Sequence, residues 1–173
     1  MMKIKILTTG ALVGGLLTAS MISLMYLADQ IAGLPFAPFD LFNWIAGVLP
    51  GAVITFGIDL MIDTMLFLGI NVADAAKLAE QGMAVIIFLI LGILTGAIFY
   101  AIINARQIKM DILAGLVIGA LFGLPIVVIS VGFGDTSVNT VIGFIWLLIL
   151  FLGWGLALGW SYRRLYQTEA APS

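Results

Sequence analysis

Ile112-Leu-Ala-Gly-Leu-Val-Ile-Gly-Ala-Leu-Phe-Gly-Leu-Pro-Ile-Val-Val-Ile-Ser-Val-Gly-Phe-Gly134 runs for 23 residues without one charged side chain. Three more stretches share this property: Ile6–Ala28, Gln81–Ala105 and Thr136–Tyr162. A helix rises about 1.5 Å per residue, so about 20 apolar residues cross a bilayer core of about 30 Å. All four stretches are long enough. The chain therefore reads as an all-α integral membrane protein, a bundle of four transmembrane helices spanning about 6–28, 83–103, 112–133 and 140–161. Residues 1–167 form a single domain in this reading, and residues 168–173 a frayed polar tail.

The rest of the composition agrees. With 63% hydrophobic residues, 9% charged residues and a mean hydropathy of +1.24, little polar material is left for a folded domain outside the bilayer. Lys3 and Lys5 precede the first apolar run, as in a signal peptide. That run continues to Ala28, longer than a signal core, and Thr18-Ala19-Ser20 is a poor cleavage site, so a retained first helix is expected. A net charge of −2 disfavours nucleic acid as a partner. The chain has no histidine and no cysteine. The usual ligands of haem, iron–sulfur clusters and zinc are therefore missing, as is a thiol nucleophile. No phosphate loop, nucleophile elbow or metal motif occurs. These absences predict no cofactor and no enzymatic activity in this chain.

Between the first two spans lies Asp29–Glu80. It opens with Leu34-Pro-Phe-Ala-Pro-Phe-Asp40, continues through an apolar stretch over 44–70, and ends in a short polar piece, Asn71–Gln81. The basic residues decide whether 44–70 crosses. Cytoplasmic loops are enriched in Lys and Arg. If the stretch does not cross, Lys3, Lys5, Arg106, Lys109, Arg163 and Arg164 share one side and only Lys77 lies on the other, six against one. If it crosses, the split is four against three. The first arrangement is preferred. It places both termini in the cytoplasm and 29–81 outside, and makes 44–70 a re-entrant or interfacial amphipathic helix. Five transmembrane helices are the alternative. Tyr26 and Trp44 then fall near the outer face, and Tyr100, Trp160, Tyr162 and Tyr166 near the inner one, where amphipathic rings belong.

Several residues stand out as functional candidates. Asp59 and Asp63 are four apart and share a helical face with Ala52 and Thr55. Paired carboxylates near a membrane can bind a cation or relay protons, and a solvated stripe on an interfacial helix is the plainer reading. Phe36, Phe39, Phe42 and Trp44, stiffened by Pro35 and Pro38, are candidate partner contacts, with a lipid-facing aromatic belt as the alternative. Gly115, Gly119 and Gly123 form a four-residue stripe that lets helix backbones approach closely. Gly10/Gly14, Gly92/Gly96 and Gly155/Gly159 have the same spacing. GALVGGLL at 10–17 resembles GLVIGALF at 115–122, which reads as convergent glycine patterning.

One string is more specific. Pro38-Phe-Asp-Leu-Phe-Asn-Trp-Ile-Ala-Gly-Val-Leu-Pro-Gly-Ala-Val-Ile-Thr-Phe-Gly-Ile-Asp-Leu-Met61, followed by Ala76-Lys-Leu-Ala-Glu80 and an apolar helix, resembles the N-terminal membrane region of bacterial molybdopterin-dependent oxidoreductases of the sulfite-oxidase type. The likeness covers roughly residues 35–105. In those relatives a soluble catalytic domain follows, and a cysteine thiolate ligates its molybdenum. This chain has no such cysteine, so no catalytic residue carries over. The resemblance implies a free-standing membrane module in the bacterial cytoplasmic membrane, an anchor or docking subunit for a separate redox protein or a larger electron-transfer complex.

Two functions from different classes follow. The first is a non-catalytic membrane subunit that docks or assembles such a complex, surrounded by lipid and by other subunits. The second is a small ion or proton transporter using Asp59 and Asp63. Transport paths need polar residues on several spans. The second and third spans offer only Thr95 and Ser130, which favours the subunit.

Overall fold

A computed structural model of the protein describes residues 2–69, 72–106, 111–134 and 138–166, and the tail expected at 168–173 lies outside them. Six helices are described: α1 (Met2–Ala32), α2 (Ala37–Val48), α3 (Gly51–Phe67), α4 (Val72–Arg106), α5 (Asp111–Phe133) and α6 (Thr140–Tyr166). Four of them contain segments long and apolar enough to cross a membrane: Ile4–Ala32, Lys77–Arg106, Ile112–Phe133 and Thr140–Tyr166. The protein is an all-α membrane bundle. Its outward side chains suit lipid, with Leu12, Leu16, Leu24, Ile86, Leu121 and Ile149 all exposed.

Glycines set the pairing. α1 and α4 run antiparallel with their backbones nearly touching. A Cβ built on Gly14 would lie 2.7 Å from the Gly92 carbonyl oxygen and 2.9 Å from Gly96 Cα. α5 and α6 repeat the arrangement, and a Cβ on Gly119 would lie 2.6 Å from the Phe151 carbonyl oxygen and 3.0 Å from Gly155 Cα. Gly115 faces Gly155 and Gly159 in the same seam, and Gly123 faces the Phe151 ring. Lipid tails are as apolar as leucine, so van der Waals packing at small residues is what favours helix association in a bilayer. The likeness between 10–17 and 115–122 falls on equivalent helices, each using its glycines against the helix that returns.

The two hairpins meet through larger side chains. Phe88 of α4 sits 6.1 Å from Phe122 of α5 and 6.3 Å from Phe151 of α6, centroid to centroid. Phe122 lies 5.3 Å from Trp154. These rings occupy the bundle centre, with Phe88, Phe151 and Leu147 fully buried. Across the α1–α6 contact, the Trp154 indole N–H donates to Thr18 Oγ1 at 3.0 Å. The Thr18 hydroxyl in turn donates to the Gly14 carbonyl at 2.7 Å. Such a partner offsets the desolvation cost of burying the Trp154 indole N–H in a membrane interior. At one end, Tyr100, Tyr162 and Tyr166 cluster with ring centroids 5.1–6.1 Å apart, Tyr100 meeting the other two edge-on. Gly10 lies against Tyr100 there, so the start of α1 and the end of α6 share this terminal end.

The opposite end is capped by the α1–α4 connection. Gly33 adopts φ +62° and its N–H bonds to the Asp29 carbonyl at 2.8 Å, a left-handed stop that glycine tolerates best. Pro38 in the first turn of α2 costs no hydrogen bond, because that N–H is unpaired in any helix. The single element expected over 44–70 is instead two helices. α2 already begins at Ala37 and ends at Val48. Leu49 is extended at φ −68°, ψ 143°, as a residue before proline prefers, and Pro50 caps α3. The helix expected from 83 is also longer, since α4 starts at Val72 and incorporates residues 72–81 of the polar piece, with its apolar segment beginning at Lys77.

Candidate functional site

The capped end holds most of the chain's unusual chemistry. α2 lies against α4 and α5, and α3 touches the bundle through α4. Pro35 fills the space left by Gly143 of α6, where a Cβ would sit 2.8 Å from the proline ring. Phe36 meets Tyr26 of α1 edge-on at 5.9 Å and Phe39 at 4.4 Å. Pro35, Phe36, Ala37, Pro38 and Leu41 are all buried. The connection thus forms a lid seated in the mouth of the bundle.

A polar latch holds this lid. The Ser130 hydroxyl of α5 donates to Asp40 Oδ2 of α2 in a short contact. Ser130 is 1% exposed and is, with Thr18, one of two buried polar side chains among the described residues. Burial pushes the Asp40 carboxyl above its usual range. The Ser130 hydrogen bond acts in the opposite direction, and the negative charge of Asp29 adds to the rise.

The four aromatic candidates separate by depth. Phe36, 5% exposed, belongs to the interior, which removes it as a partner contact. Phe39 and Phe42 are half-buried, and Trp44 is 37% exposed. Asp59 and Asp63 are both exposed on α3, with no basic partner within ion-pair distance among the described residues. They line no passage through the bundle, whose centre is filled by the rings of α4, α5 and α6. No group of three acidic side chains among the described residues is placed to hold a metal ion. α3 itself is apolar on most of its circumference, with Phe56 68% and Phe67 89% exposed, while Met65 is buried and Gly57, Met61 and Met65 lie on the side facing α4.

Two features escape a reading of the sequence. Asp40 looks like an ordinary outer-loop acid, and only its pairing with Ser130, ninety positions away, makes it a latch. The Thr18–Trp154 bond joins residues 136 apart. The one available hint was Ser130, an isolated hydroxyl in an otherwise apolar span. Comparison with protein-family models, with characterised proteins and with solved structures finds no match to this chain.

Proposed function

We propose that the protein is a non-catalytic membrane subunit that docks a second protein at the capped end. The observation that carries this reading is the contrast between the two parts of the molecule. The bundle interior is occupied by interlocked rings, while α2 and α3 present Trp44, Phe56 and Phe67 outward at one end. Large aromatic side chains supply much contact area at small entropic cost, which suits an anchor surface. The resemblance to the membrane region of sulfite-oxidase-type oxidoreductases supports a redox protein or an electron-transfer complex as the partner. The six-to-one split of basic residues supports cytoplasmic termini and an outward-facing cap in a bacterial inner membrane.

The native chain has no cysteine, so Trp44→Cys gives a single reactive thiol. An impermeant maleimide is expected to label it in intact cells, and labelling only after lysis would reverse the orientation. Purification in mild detergent followed by mass spectrometry is expected to show one stoichiometric protein with the wild-type chain. Phe42→Ala with Trp44→Ala should release it without lowering the thermal midpoint. Proton or ion flux in proteoliposomes that disappears in Asp59→Asn with Asp63→Asn would replace this reading with transport.

A further inference from the structure

A cavity of about 160 Å³ opens between α2 and α4 at the capped end. Phe39, Phe42 and Asn43 of α2 line it, with Lys77, Glu80, Gln81 and Ala84 of α4. The α4 residues follow i, i+3, i+4, i+7 spacing, so they share one helical face. Lys77 and Glu80 stand about 4.5 Å apart along the axis. Neither forms an ion pair within the described residues, and both are exposed residues of the cavity wall.

Its depth narrows the choice of ligand. Lys77 opens the apolar segment Lys77–Arg106 and so sits where a spanning helix meets the headgroups. It is also the only basic residue in 29–81. Orientation does not account for a lysine there, because the topological bias favours basic residues at the other end.

We infer that this cavity binds the zwitterionic headgroup of an aminophospholipid, a phosphate joined to a primary ammonium. Lys77 receives the phosphate as a compact point charge. Glu80 accepts from the ammonium, and Phe39 and Phe42 supply the aromatic wall beside it. Asn43 and Gln81 satisfy the remaining oxygens and N–H groups. An anionic headgroup would meet Glu80, and a simple cation would meet Lys77, so neither uses both charges. The volume equals roughly five water molecules at about 30 Å³ each, room for a small headgroup. The acyl chains stay in the bilayer, and the cavity needs to hold only the polar end.

Native mass spectrometry of the full chain in detergent tests this with dioleoyl phosphatidylethanolamine and dioleoyl phosphatidylglycerol at equal concentration. One phosphatidylethanolamine per chain is expected to survive, in clear preference to phosphatidylglycerol. Lys77→Ala and Glu80→Gln should each weaken its retention about tenfold, as expected for one lost charge-assisted hydrogen bond. Arg164→Ala, at the terminal end, should leave it unchanged. A thermal midpoint measured without lipid confirms that the variants are folded. Equal retention of both lipids, or unaltered retention in folded Lys77→Ala, overturns the assignment. Release of the lipid by water-soluble glycerophosphoethanolamine at comparable concentration would assign the cavity to a free zwitterion and overturn the lipid source.

Discussion

Gly119→Ala adds one methyl group to the tightest kind of contact in this bundle. Its Cβ would lie 2.6 Å from the Phe151 carbonyl oxygen, with Gly155 Cα at 3.0 Å and Gly155 N at 3.3 Å. All three are backbone atoms, so no side chain can swing aside. Ordinary contact begins near 3.4 Å, so α5 and α6 must part locally by about 3.4 − 2.6 = 0.8 Å. A gap of this order forfeits a quarter to a half of each dispersion contact, and about twenty contacts of about 0.15 kcal/mol then lose about 1 kcal/mol. Residual strain brings the cost to about 1–3 kcal/mol, as for other overpacked sites. Gly153→Ala is the matched control. It lies on α6 with nothing within 4 Å of a Cβ, and both variants gain the same helix propensity, about 1 kcal/mol in alanine's favour. Unfolding in mixed micelles by titrated dodecyl sulfate, followed by tryptophan fluorescence, reads the difference. Gly153→Ala should match or exceed the wild type, and Gly119→Ala should fall below Gly153→Ala by about 1–3 kcal/mol. Equal stability of the two variants would show that the α5–α6 seam is not set by backbone contact.

Thr18→Val keeps the shape of the side chain but removes the acceptor of the Trp154 N–H, and should cost about 1 kcal/mol in the same titration. Combined with Trp154→Phe it should cost less than the sum of the two, and strict additivity would show that the bond contributes nothing. Asp40 gives the expected pH response. Its folded pKa is raised above 3.8 chiefly by burial, so the folded protein holds the proton more tightly than the unfolded one. Its contribution to stability is therefore largest at low pH and falls as pH rises from 3.8 through the raised value. Asp40→Asn should flatten that part of the thermal-midpoint profile, and an unchanged slope would remove Asp40 as its source.

The sequence by itself determined the solvent of this protein and marked four helices long and apolar enough to cross it. Charge-free runs of 23 residues or more leave no other place for their backbone and side chains than a bilayer. It also marked the glycine faces, because a four-residue spacing is a local property of one helix. Local signals could not say which face meets which. That Gly14 serves α4 and Gly119 serves α6 depends on pairing between segments tens of residues apart. The aromatic string at 36–44 shows the same limit. Its composition suits an exposed anchor and a buried lid equally well, and the fold divided it, drawing Phe36 inward against Tyr26 and leaving Trp44 at the surface. Pro50 was visible in the sequence, yet its effect depended on whether the chain around it was already helical. Asp40 and Ser130, and Lys77 facing Phe39 and Phe42, became sites only when α2 settled into the mouth of the bundle. Hydrophobicity and helix period act along the chain and are readable there, whereas a latch or a cavity depends on two surfaces that meet only after packing.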